Sequence, residues 1–310
     1  MTSKTDVEFA AADGTVLSAW LFQPDDVEGL LPAITMAHGF GATKWHGLEQ
    51  AGEAFAAGGF VVLVHDHRNF GTSGGFPRGD IDPWAQIADW RRAISYLESL
   101  DNVDPQRIGL WGTSYAGGHA LVLAATDRRV SAVVSQAPTI DGWESGSRRV
   151  APQDVAALEE AFNDDERAQL RGEPPRTQRF VSADPAAPAS YHSSDTYDFY
   201  HQPIPAGVWS NDMTLQSVRR SRMYEPGRWI TRISPTPLLL IEPTHDTTAP
   251  TDLALRAFEQ AHEPKALVLI DGGHYSVYLE QFPKASDAAV SFFREHLGSS
   301  NLLVRSEGGR

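Results

Sequence analysis

Short runs of almost wholly apolar residues recur along this chain, separated by longer stretches in which apolar residues return every third or fourth position. The runs Ala33 to Ala37, Phe60 to His65, Ile108 to Trp111, Val130 to Ser135, Pro237 to Glu242 and Ala266 to Ile270 are too short for ordinary helices, and they predict strands buried on both faces. Val7 to Pro24 divides around Asp13-Gly14, a pair suited to positive φ, and predicts an antiparallel hairpin at the start.

The clearest helix is announced by Asp82-Pro83, an N-cap residue followed by proline at the first helical position. Its apolar face would carry Trp84, Ile87, Trp90, Ile94 and Leu97, a stripe fit to pack on a sheet. Similar patterns run from about Leu48 to Ala57, from Leu253 to His262 after Thr251-Asp252, and from about Ala285 to Leu297, where Gly298 ends the helix. Strand and helix alternate, which predicts a mostly parallel central sheet with helices on both faces.

From Asp141 to about Ser234 the rhythm breaks. A helical patch, Asp154 to Arg171, is followed by the proline-rich EPPRTQRFVSADPAAPAS and the aromatic-polar SYHSSDTYDFYHQP. A structureless loop of that length does not suit a compact domain, so the segment reads as an insertion. With 310 residues, the chain divides into a core (1–140 and 235–298), an inserted cap or lid (141–234), and a tail (299–310) expected to fray, with Leu302 to Val304 the part able to dock.

Composition narrows the function. Hydrophobic residues are 41% and charged residues 21%, a globular balance. The net charge of -14 disfavours phosphate backbones and anionic lipid, so neither nucleic acid nor membrane is expected as a partner. Without cysteine, disulfides, thiolate metal sites and a cysteine nucleophile are excluded. MTSKTDVEFAAADGT lacks the apolar core of a signal peptide and no apolar stretch is long enough to span a bilayer, so a cytoplasmic location is expected.

Candidate chemistry begins at GTSYAGGH, where a strand gives way to small residues around Ser114. A serine hydroxyl needs a base, normally histidine, and the base needs an acid to fix its tautomer. Loops after the ends of parallel strands meet on one sheet edge. There PTHDTTAP supplies Asp246 and DGGHYSVY supplies His274. The order Ser114, Asp246, His274 is that of a nucleophile elbow on such a sheet.

Taken together, AHGFGATK, HDHRNFGTSGG, GTSYAGG, THDTTAP and GGHYSVY resemble the α/β-hydrolase superfamily, nearest to its dienelactone-hydrolase-like and serine-peptidase-like esterases. The resemblance spans about residues 5 to 297 and is weakest over 141–234. It implies the α/β-hydrolase fold with an inserted cap, Ser114, His274 and Asp246 as catalytic residues, and an oxyanion hole from the backbone N–H groups of Phe40 and Tyr115. Ala116 stands where the elbow usually has its second glycine, and a methyl there is small enough to keep the turn.

Other candidates have plainer readings. His119 and His245 read as packed or solvated histidines, His65 and His67 as structural, Asp66 and Arg68 as parts of a turn, and Asp141 as a substitute acid for Asp246. The histidine spacing shows no metal motif, and no cofactor is expected. The expected activity is that of a serine hydrolase, carboxylesterase- or lactonase-like, cleaving a small to medium, moderately hydrophobic ester or lactone through an acyl-enzyme. Carbon-carbon hydrolysis, acyl transfer and peptide cleavage use the same three residues and stay open. A binding protein on a dead hydrolase fold is the reading from another class. Trp45, Trp143, Tyr197, Tyr200 and Trp209, with Tyr191 and Phe199, are candidates to line the substrate pocket or to pack the cap. The apolar content of the cap is compatible with a homodimer.

Overall fold

The computed structural model describes residues 2–25 and 29–298; the expected tail, with Leu302 to Val304, lies outside them. The chain opens with strands β1 (Thr2–Ala10) and β2 (Val16–Pro24), an antiparallel hairpin in which Ala10 faces Val16. There follow β3 (Leu31–Ala37), α1 (Leu48–Ala57), β4 (Val61–His65), α2 (Pro83–Glu98), β5 (Val103–Thr113), α3 (Tyr115–Thr126) and β6 (Val130–Gln136). Every apolar run identified in the sequence up to this point is a strand.

Between residues 141 and 234 the chain forms α4 (Gly142–Ser147), α5 (Val155–Leu170), β7 (Thr177–Val181), β8 (Ala189–Tyr191), α6 (Ser194–Tyr200), β9 (Asp212–Thr214) and α7 (Leu215–Arg222). The proline-rich stretch is thus not structureless: β7 and β8 emerge from it and join β9 in a second, three-stranded sheet. The sequence hides these strands because they are short and only partly buried. The main sheet is then completed by β10 (Leu238–Pro243), α8 (Thr251–Gln260), β11 (Lys265–Ile270) and α9 (Phe282–Leu297).

The main sheet has eight strands in the order β1-β2-β4-β3-β5-β6-β10-β11. From β4 to β11 all neighbours are parallel, and β2 is antiparallel to both β1 and β4. Its helices pack in two layers, α1 with α9 and α2 with α3. Phe55, Phe60 and Phe293 fill the α1/α9 layer with edge-on ring contacts. In the other layer the α2 stripe buries Ile87, Trp90, Ile94 and Leu97, and Trp90 Nε1 donates to Thr35 Oγ1 at 3.0 Å. Trp84 departs from the expected stripe. It lies in the first turn of α2 and is 54% exposed, with its ring edge against Tyr224 and Trp229. Among the described residues no helix is long and apolar enough to cross a membrane.

Candidate active site

Strand order decides which loops meet. The segments following β3, β5, β10 and β11 leave the same edge of the sheet, because these strands are parallel. They carry residues 38–41, Ser114, Asp246 and His274.

Ser114 sits on the one-residue turn between β5 and α3 with φ 57° and ψ -119°, a conformation that a side chain disfavours and surrounding structure must enforce. Its N–H donates to Gln136 O at 2.8 Å, and its own carbonyl accepts from Thr139 N at 2.9 Å. The turn is tight enough that a Cβ at Gly112 would lie 2.2 Å from Ala116 O. Ala116 is itself fully buried, so the alanine fits and the requirement for glycine falls on residue 112.

Ser114 Oγ lies 3.0 Å from His274 Nε2, and His274 Nδ1 lies 2.5 Å from Asp246 Oδ2. The other carboxylate oxygen, Oδ1, accepts the N–H groups of Thr248 and Ala249, each at 2.8 Å. With Asp246 and His274 buried, these bonds fix the carboxylate and leave its second oxygen to orient the imidazole.

Neither backbone N–H of Phe40 or Tyr115 finds an acceptor among the described residues. The loop carrying Phe40 is held from the 194–209 side: Tyr200 Oη donates to Phe40 O and Trp209 Nε1 to Gly41 O, the latter at 2.9 Å. His38 is locked beneath it, with Nδ1 against Gly39 O at 3.0 Å and Nε2 accepting from His67 N at 3.1 Å.

The space against Ser114 is small, about 20 Å³, room for about one water. Phe40, Tyr191, Tyr200, Tyr275 and Tyr278 are among its walls. Beside it lies a chamber of about 390 Å³ that shares Phe40, Tyr191 and Thr248 with it.

Of the five aromatics expected to line the substrate pocket, only Tyr200 borders either space. Trp45 packs edge-on against Trp20, their rings 4.5 Å apart. Trp143 is 55% exposed under the Arg222 guanidinium. Tyr197 stacks on His201, and Trp209 is tied to Gly41. Tyr191 and Phe199 do border the small space.

Asp141 is the N-cap of α4, accepting from Glu144 N at 2.8 Å, and is not beside His274. His119 is buried between Tyr224 Oη and Gln86 Oε1, whereas the His245 side chain is exposed beside Thr244. Asp66 pairs with Lys44, and Arg68 with Asp89 and Asp13. His65 and His67 are fully buried with no hydrogen bond to either ring among the described residues, and burial holds both imidazoles well below their ordinary range. Tyr275, Tyr278, Thr248 and His46 also line the small space. Sequence reasoning missed them. For the two tyrosines the signal was present in GGHYSVY, one and four residues past His274.

Comparison with known proteins agrees with this architecture. The family model described as X-Pro dipeptidyl-peptidase (S15 family) matches residues 13–276. The chain is 35% identical over 296 residues to the quorum-quenching protein AidA of Acinetobacter baumannii, covering 93% of this chain and 94% of that protein. It is 30% identical over 283 residues to a thiohydrolase of Eupenicillium brefeldianum, covering 89% of each. The crystal structure of the alpha/beta hydrolase GrgF from Penicillium superposes with a TM-score of 0.84 at 28% identity, covering 95% of this chain and 99% of that one. The chain therefore belongs to the X-Pro dipeptidyl-peptidase (S15) family and is an enzyme of the α/β-hydrolase type.

Proposed function

We propose that this protein is a serine hydrolase of carboxylic esters or lactones, acting through an acyl-enzyme on Ser114. The observation that carries the reading is the 3.0 Å approach of His274 Nε2 to Ser114 Oγ, with Asp246 behind the imidazole. As the serine oxygen attacks the substrate carbonyl, its proton passes to His274 Nε2. Asp246 Oδ2 accepts the Nδ1–H and stabilises the imidazolium. The unengaged N–H groups of Phe40 and Tyr115 receive the oxyanion of the tetrahedral intermediate. His274 then protonates the leaving oxygen, and a second acceptor releases the acyl group by the same steps in reverse. We read 141–234 as a cap over this site.

A second reading, thioester cleavage or acyl transfer to an acceptor other than water, has specific support. Besides the thiohydrolase, a polyketide transferase of Stachybotrys chlorohalonatus is 31% identical over 276 residues. Peptide cleavage is the weaker option despite the family's description. A dipeptidyl-peptidase must anchor a free amino terminus, and among the described residues lining the small space and the chamber there is no aspartate or glutamate.

A fluorophosphonate should label Ser114, and Ser114→Ala should lower p-nitrophenyl ester turnover by about 10⁴-fold or more. Undiminished turnover by Ser114→Ala protein would overturn the mechanism.

A further inference from the structure

The chamber beside the serine is cationic in an acidic protein. The chain carries 40 Asp and Glu against 26 Lys and Arg, yet Arg149 and Arg222 border the chamber and no carboxylate is among the described residues that line it. Arg222 is only 5% exposed and takes part in no ion pair among the described residues; its Nε and Nη1 are covered and donate to no acceptor. Its guanidinium rests on the Trp143 ring, 5.1 Å from the centroid. The Arg149 guanidinium lies over the Tyr191 ring and, among the described residues, gives one hydrogen bond, to Thr248 O at 2.7 Å. Tyr115, whose backbone neighbours the nucleophile, lines the same chamber, and its buried hydroxyl has no hydrogen-bond partner among the described residues.

A buried guanidinium without a counterion is costly, and a native fold retains one where something else compensates it. Arginine's planar donor array suits carboxylate and phosphate oxygens. The chamber and the small space share Phe40, Tyr191 and Thr248, which places a group held in the chamber next to a carbonyl at Ser114.

We infer that the chamber is an anion subsite in which Arg222, assisted by Arg149, selects substrates carrying a carboxylate or phosphate away from the scissile carbonyl. The inference rests on the acyl-transfer reading of Ser114 and names its substrate class. Arg222 is a specificity residue and takes no part in bond making.

Two matched substrate pairs locate the charge. p-Nitrophenyl hydrogen suberate against its methyl ester places a carboxylate on the acyl part. Octanoyl coenzyme A against octanoyl-N-acetylcysteamine places phosphate on the leaving group. In one pair the anionic member should have a kcat/KM about tenfold or more above its neutral partner, the scale of one charge-assisted hydrogen bond. Arg222→Met should bring that ratio close to one, and Arg222→Lys should restore part of it. If Arg222→Met does not fold, suberate should still inhibit neutral-ester turnover by the unaltered enzyme where suberamide does not. Equal kcat/KM within both pairs, or a ratio indifferent to Arg222→Met, overturns the subsite. Turnover of the neutral esters that is lost in Ser114→Ala keeps the serine mechanism standing in either case.

Discussion

Gly39 faces Ser114 so closely that a Cβ on the glycine would stand 2.8 Å from the serine Cβ and 3.1 Å from its Oγ. Gly39 φ lies outside the left-handed range, so alanine is compatible with the backbone and the obstacle is contact alone. Gly39→Ala should push the loop carrying the Phe40 N–H off the serine. Displacing one oxyanion donor costs about 10²–10³ in kcat, and we expect a loss of that order with a melting temperature close to that of the unaltered protein. Steady-state kinetics and thermal unfolding on the same preparation check it.

Asp246 divides its oxygens, Oδ1 to the N–H groups of Thr248 and Ala249 and Oδ2 to His274. Asp246→Asn keeps the shape but turns an acceptor into a possible donor against Nδ1, favouring the tautomer that cannot take the serine proton. A fall in kcat of about 10⁴ follows if His274 is the base. Single-turnover kinetics would show the fall in the acylation step.

Lys44 and Asp66 form an ion pair with side chains 1% and 0% exposed, Nζ to Oδ2 at 3.0 Å. Lys44 Nζ also reaches Ser18 and Thr72, and Asp66 Oδ1 accepts Lys44 N at 2.7 Å. Lys44→Met strands the carboxylate in the core and should cost about 3–5 kcal/mol. Adding Asp66→Asn should recover part of that loss. Urea unfolding of the single and double variants gives the comparison.

Burial holds His65 and His119 down to about 3 and His46 down to about 4. In the unfolded chain each charges near about 6.5. Between those limits the unfolded state binds more protons, so stability is full above about pH 6.5 and is lost as the pH falls toward the folded values. Glu242 acts with the opposite sign. Desolvation and the neighbouring Asp246 raise its carboxyl well above the ordinary range, so its contribution is present at acid pH and is lost as pH rises past its unfolded value. Glu242→Gln should therefore steepen the fall in urea midpoint between pH 6.5 and 5, and His65→Asn should flatten it.

Much of this molecule is legible without coordinates because the signals are local. Apolar runs locate the six parallel strands of the main sheet, the Asp13-Gly14 pair marks its opening hairpin, and Asp82-Pro83 marks the start of α2, where Asp82 Oδ1 accepts Trp84 N at 2.9 Å. Chemical type and chain order single out Ser114, Asp246 and His274. The segment 141–234 was far less legible. Its short strands pair with one another across a non-local sheet, and nothing in their composition announces a partner.

The chain alone therefore determined the periodicities and the order of reactive side chains, since both depend on neighbours a few residues apart. Tertiary structure decided which groups meet across 160 positions, as Ser114 and His274 do. It tied Tyr200 and Trp209 to the loop at Phe40 and Gly41, and left Arg222 buried with no acidic partner among the described residues. The physical reason is that a counterion, a contact or a cavity is a property of segments brought together by strand order and packing, and no local pattern records its presence or its absence.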